Sequence, residues 1–212
     1  MLVVEKPVNV LTQSDITGDK DLLTILKEDI KERYNKPGNV FLGLVHRLDR
    51  PVGGVMVYAK TSKAASRLSE QIRIGGFKKT YLAVIYGTPD ISEGRFEHYL
   101  VKDRERNKVY IVNGQKKGGK KAILEYEVLG NAENMSLVKI NLITGRSHQI
   151  RVQFASTGYP LFGDQKYSEG LSKPGEQLAL WSYSIEVAHP VKLENMVFQC
   201  NPPQIYPWDI FE

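Results

Sequence analysis

Hydrophobic and polar positions change their period several times along the chain, and each change predicts an element. Leu2 to Glu5 is apolar enough for a short buried strand, and Pro7, which has no N–H to offer a ladder, ends it in a polar loop through Thr17 and Gly18. Leu22, Leu23, Leu26, Ile30 and Tyr34 then recur at the spacing of one helix face, behind Asp19 and Asp21 as start signals, and Pro37-Gly38-Asn39 closes that helix. Val40 to Val45 reads as a strand running into the polar segment His46 to Pro51. After Gly53-Gly54 the run Val55 to Ala59 is again a strand. Thr61 or Ser62 can cap a helix whose inner face is Ala64, Ala65, Leu68 and Ile72, and Gly75-Gly76 stops it.

Beyond that point strands dominate. They are predicted at Thr80 to Tyr86, Arg95 to Val101, Val109 to Val112, Ala122 to Leu129, Ser136 to Leu142, Gln177 to Val187 and Met196 to Cys200. One helix is predicted from Ser147 to Ser156, with Ile150 and Phe154 on one face. Strands outnumber helices, and the helices fall too irregularly for a repeating β-α-β layout. The expectation is an α+β fold: a single domain over residues 1–212, built on a largely antiparallel mixed sheet with flanking helices and loops.

Composition narrows the function. With 42% hydrophobic and 25% charged residues the chain can bury a core. Cys200 is the one cysteine, so neither an internal disulfide nor a cysteine-rich zinc site can be built, and His46 and His148 have no metal-ligand spacing. No metal is expected. No stretch nears the ~18 apolar residues of a membrane span, and Glu5, Lys6 and Pro7 interrupt the start too early for a signal-peptide core. A cytoplasmic protein without membrane contact is expected. The glycine pairs lack the spacing and following lysine of a phosphate-cradling loop, so no nucleotide cofactor is expected either. The net charge of +5 is local: Lys102 to Lys121 holds eight basic residues against Asp103 and Glu105, which leaves the rest of the chain near neutral. That patch suits a polyanion.

Three segments carry chemistry. In His46-Arg47-Leu48-Asp49-Arg50 a carboxylate is crowded by cations beside a turn. Held ionised and partly desolvated, such an aspartate can act as nucleophile or base, although charge content alone fits a solvated salt-bridge cluster as well. In Lys79-Thr80-Tyr81-Leu82-Ala83 the phenol could stack on a base and exchange a proton, or simply pack. Gly145-Arg146-Ser147-His148-Gln149-Ile150-Arg151 brings two further arginines to the start of a helix.

These segments also carry a resemblance. His46 to Val57 resembles the aspartate motif of RluA-like RNA pseudouridine synthases, departing from it at Val52-Gly53, where relatives generally carry threonine or serine before the second glycine. Lys79 to Gly87 is similar to the family's lysine-x-tyrosine-leucine-alanine strand, and Leu142 to Gln153 to its glycine-arginine-x-histidine-glutamine-isoleucine-arginine motif. Leu2 to Pro7 resembles the opening strand and lysine-proline turn, and Leu178 to Trp181 with His189-Pro190 the final strand region, so nearly the whole chain is covered.

The resemblance implies the pseudouridine synthase fold and an enzyme that isomerises specific uridines in structured ribosomal or transfer RNA, without a cofactor because the reaction has no net redox change. It implies Asp49 as the nucleophile, Tyr81 as the active-site tyrosine, Arg151 as the basic partner of Asp49 and Leu180 as an apolar contact to the base. Arg47 and Arg50 beside the nucleophile and Arg146 on the third motif are expected to contact RNA, whereas His148 and Gln149 are expected to brace their loop. Lys116, Lys117, Lys120 and Lys121, set among Gly114, Gly118 and Gly119, are expected on a mobile hairpin tip that follows the phosphate backbone. Met1 already stands at the first motif, so no RNA-binding domain is expected ahead of it, and the protein is expected to be a monomer. The alternative is a non-catalytic RNA-binding or RNA-folding protein on the same scaffold, against which Asp49, Tyr81 and Arg151 argue.

Overall fold

Strand β3 (Gly53–Ala59) is buried at every position, as its unbroken apolar sequence requires of a strand covered on both faces. In this computed structural model, which describes residues 1–115 and 118–211, β3 centres the first of two units, Met1–Lys78 with Ser182–Asn201. β1 (Leu2–Lys6) pairs antiparallel with it, Leu2 opposite Tyr58 and Lys6 opposite Gly54. β2 (Gly43–Leu44) also pairs antiparallel with β3. β9 (Leu180–Ala188) neighbours β3, and β10 (Asn195–Gln199) pairs antiparallel with β9. Gly54, at φ +112°, lets this happen: a Cβ there would collide with the backbone of Ser182.

The helices of this unit begin and end where local chemistry puts them. Helix α1 (Leu22–Arg33) starts at Asp21, whose carboxylate accepts from Thr24 N at 3.1 Å. Helix α2 (Ser62–Ile74) starts at Thr61, whose hydroxyl accepts from Ala64 N at 3.1 Å, and ends at Gly75 in the left-handed region with φ +80°. Its buried Ala64 and Leu68 pack on Val55, Val57, Ala59, Ile185 and Val187.

The second unit is Lys79–Trp181 with Pro202–Glu212. Its strands β4 (Lys78–Tyr86), β8 (Met135–Leu142), β7 (Lys120–Ala132), β5 (Glu93–Asp103) and β6 (Lys108–Val112) lie in that order, each antiparallel to the next. Helix α3 (Gln149–Ser156) is buried from Gln149 through Phe154. Val152 joins Leu100, Val109, Ala122 and Tyr167 in one core, while Val84, Met135, Phe162 and Ala179 form another with Trp208, Ile210 and Phe211 against it. Among the described residues no helix is long and apolar enough to cross a membrane.

The α+β class and the predicted helices are observed. Three strand details differ. Of Val40 to Val45 only Gly43 and Leu44 enter a ladder, opposite Ala59 and Tyr58 at the end of β3, and Phe41 is exposed. β9 starts at Leu180 and not at Gln177, because Ala179 bonds instead to loop and neighbouring backbone: its N donates to Phe162 O and its O accepts from Val84 N. Lys120 and Lys121 do not sit on a hairpin tip between β6 and β7: they open β7, which pairs with β5 and not with β6, whereas Lys116 and Lys117 lie outside the described residues.

Candidate active site

Asp49 opens a tight turn in the first unit, with Val52 N donating to Asp49 O at 3.0 Å. The preceding residue is pinned from both sides: Thr12, itself buried, donates through Oγ1 to Leu48 O at 2.8 Å and accepts from Leu48 N at 3.3 Å. A short polar side chain thereby satisfies both backbone groups that burial of Leu48 takes from water. Asp49 is half-buried and its neighbours Arg47 and Arg50 are exposed. His46 Nε2 accepts from Val57 N at 3.0 Å and ties the chain to β3. Arg50 is also engaged, through an ion pair with Asp19 at 2.7 Å and a bond from Nε to Asn9 O at 3.1 Å.

Lys6 holds the other side of the turn. Its side chain is fully buried, and Nζ donates to Pro7 O at 2.9 Å, Val10 O at 2.6 Å and Arg50 O at 3.1 Å. Three carbonyls thus match the three N–H groups of an ammonium. Burial pulls the pKa of Lys6 from its ordinary 10.5 to about 8, against the pull of Asp49 in the opposite direction. The motif resemblance touched Lys6 only as part of a turn; this clamp joins residues 44 positions apart and has no local sequence signal.

A pH dependence follows. Between about 8 and 10.5 the unfolded chain holds the Lys6 proton and the folded chain does not, so the contribution of this group to stability rises with pH across that window. The neutral amine has two N–H groups for three carbonyls, so the turn carrying Asp49 loosens over the same range. The rate is therefore expected to fall with a midpoint near pH 8 without a parallel fall in melting temperature. A rate that stays level until well above that midpoint would separate Lys6 from the Asp49 turn.

In the second unit the buried helix α3 presents three polar side chains that need partners. Gln149 uses both ends, donating to Ile123 O at 3.0 Å and accepting from Thr144 Oγ1 at 2.8 Å and Arg146 N at 3.0 Å. Gln153 donates to Ala122 O at 3.3 Å. Arg151 meets Asp164 in a two-pronged pair, Nε to Oδ2 and Nη2 to Oδ1, both 2.7 Å, with the side chains 8% and 0% exposed. Asp164 Oδ1 further accepts from Lys166 N and Tyr167 N, at 2.9 and 3.2 Å. The Arg151 guanidinium lies 5.2 Å from the centre of the Tyr167 ring. The Tyr167 hydroxyl accepts from Val109 N at 2.8 Å and lies 2.8 Å from His148 Nδ1, and His148 itself adopts φ +49°. His148 and Gln149 brace their loop, as expected.

Asp164 and Tyr167 were not found by reading the sequence. A signal existed: Asp164 follows the apolar run Tyr159 to Phe162 after one glycine, the same abrupt change of character that marks Asp49. Gly163 itself, at φ +73°, has no room for a Cβ against the Gln177 carbonyl.

Tyr81 stands on β4 opposite Ile140 of β8 and is 6% exposed, and Leu180, the first residue of β9, is also buried. The unit therefore offers a phenol, an apolar side chain and a fixed guanidinium, while the other unit offers a carboxylate on a braced turn. Among the described residues no three His, Cys, Asp or Glu side chains group as metal ligands.

A family model described as RNA pseudouridylate synthase matches residues 1–156. The chain belongs to the RNA pseudouridylate synthase family. A relative in Aquifex aeolicus, an uncharacterized RNA pseudouridine synthase, is 34% identical, the match spanning 97% of this chain and 69% of that protein. The dual-specificity RNA pseudouridine synthase RluA of Haemophilus ducreyi is 32% identical, over 95% of this chain and 89% of that protein. In fold, the chain resembles human RNA pseudouridylate synthase domain containing 4, with a TM-score of 0.79 at 24% identity over 95% of this chain and 85% of that one. Membership in the pseudouridylate synthase family makes this chain an enzyme that isomerises uridine to pseudouridine.

For such a synthase the basic residues matter next. Arg146 is exposed, with Nε donating to Lys121 O at 2.9 Å, which sets its guanidinium beside the start of β7. Lys121 is ion-paired with Glu97, and Lys120 is exposed. Lys116 and Lys117 lie outside the described residues.

Proposed function

We propose that this pseudouridine synthase acts on uridines in structured ribosomal or transfer RNA, with Asp49 as nucleophile, Tyr81 as the base-stacking and proton-exchanging phenol, and Arg151 as the catalytic cation. The observation that carries the reading is the half-buried Asp49 carboxylate on a turn whose backbone is held by Thr12 and Lys6. A nucleophile must be fixed before the substrate arrives, and these bonds fix it.

The target uridine is first extruded from its helix, which costs a few kcal/mol of stacking; Arg47 and Tyr81 take part in that step. Asp49 attacks ribose C1′ and the C1′–N1 bond breaks. The uracil turns within the pocket, C5 bonds to C1′ as Asp49 departs, and the C5 proton is exchanged for one at N1 through the Tyr81 hydroxyl. No electrons are gained or lost. Arg151, oriented by Asp164, supplies the positive charge of the reaction, and Leu180 packs on the base. Arg50, Arg146, Lys116, Lys117, Lys120 and Lys121 contact the phosphate backbone, and both units together serve as one catalytic domain, acting as a cytoplasmic monomer.

The test is release of tritium from RNA labelled at uridine C5, together with mapping of pseudouridines in cells with and without the protein. Tyr81→Phe keeps the ring and removes the proton donor, so RNA affinity is expected to stay within a few-fold while turnover falls by about 10²–10⁴. Unchanged turnover would leave Tyr81 a packing residue.

A further inference from the structure

Lys79 has no assigned work. It is the second residue of β4, two positions before Tyr81, so its side chain leaves the strand on the same face as the phenol, about 6.6 Å along the backbone. Its ammonium is folded against the loop that carries Arg146: a Cβ on Gly145 would stand 3.0 Å from Lys79 Nζ, and no other atom crowds that glycine. Gly145 does not have a left-handed backbone, so the close passage of this ammonium is what a side chain there would disturb.

Four other cations of the unit have carboxylate partners. Arg151 has Asp164, Lys121 has Glu97, Arg95 has Glu125 and Lys139 has Glu127. Among the described hydrogen bonds and ion pairs none involves Lys79 Nζ. Burial alone lowers its pKa, with no acid pulling the other way. A half-buried ammonium offers three donors and accepts nothing, and leaving it unmatched costs stability. The cost is recovered when an anion docks.

We propose that Lys79 is a phosphate-binding residue, whose ammonium takes a non-bridging phosphate oxygen of the RNA strand at the nucleotide that stacks on Tyr81. The proposal rests on the reading of Tyr81 given above and extends it. The phenol takes the base, and the lysine on the same face takes the backbone belonging to it. A contact of this kind positions without reading sequence. It also explains why the strand keeps a cation where an apolar residue would stabilise the free protein.

Lys79→Met keeps the length and apolar stem and removes the charge. Its melting temperature is expected to equal or exceed that of the wild type, because an unmatched buried charge is gone. Binding of bulk transfer RNA and ribosomal RNA transcripts, measured across a salt series, is expected to weaken, and the slope of log affinity against log salt to flatten by about 0.7–0.9, the value of one phosphate contact. Lys79→Arg is expected to restore most of the slope. Superimposable slopes for wild type and Lys79→Met on both RNAs would overturn the proposal, as would a lower melting temperature with an unchanged slope, which would make Lys79 a structural residue. The two readings fail separately. Absence of tritium release from wild type with a slope change at Lys79 removes the catalytic reading and keeps the phosphate contact; normal tritium release with unchanged slopes does the reverse.

Discussion

Asp49→Asn is expected to abolish pseudouridine formation, lowering the single-turnover rate by about 10⁴-fold or more, while folding and RNA binding persist. The amide has nearly the shape of the carboxylate, and backbone bonds that the substitution leaves in place hold the turn: Val52 N donates to Asp49 O, and Leu48 is held by Thr12. What is removed is the negative charge, and with it the nucleophile. The measurement is tritium release under single-turnover conditions with enzyme in excess, beside a melting curve and an RNA titration. Product formed at a rate near that of the wild type would end the assignment of Asp49. Loss of activity together with a collapsed melting temperature would show that the carboxylate is structural.

The second large effect is expected at Asp164, which does not belong to any of the motifs that drew attention in the sequence. The Arg151–Asp164 pair is almost wholly removed from water, so Asp164→Ala leaves a buried guanidinium without the carboxylate that faces both of its prongs. Breaking one side of such a pair costs about 3–5 kcal/mol, which for a chain of this size is roughly 6–20 °C in melting temperature. Asp164→Asn is expected to lose less, since the amide oxygen can still accept from Lys166 N and Tyr167 N. Replacing both partners with apolar residues, Asp164→Leu with Arg151→Met, is expected to recover much of the stability and none of the activity. That contrast separates folding from the orientation of Arg151. A melting temperature for Asp164→Ala within a degree or two of the wild type would show the pair to be energetically idle.

What the chain's order of residues determined by itself is whatever its near neighbours decide. Asp21 caps α1 through Thr24 three positions on, Thr61 caps α2 through Ala64, and Gly75 ends α2 by adopting a backbone conformation that costs other residues energy. The short runs in which Asp49, Tyr81 and Arg151 stand are likewise recognisable before any fold is known. The tertiary structure decided what those residues touch. Arg151 finds Asp164 across a helix end and a loop; Lys6 reaches Arg50 O across 44 residues; and Lys120 and Lys121 enter a strand because β7, not β6, continues the sheet toward β8. Strand ends shifted for the same reason: Ala179 bonds to Phe162 and Val84, and Val40 to Phe41 find no partner strand beyond the end of β3. Caps and turns are settled by hydrogen bonds within a few residues, so they can be read in one dimension. A buried charge or an unpaired backbone group must find its partner wherever the collapsed chain happens to bring one, and that depends on every element at once.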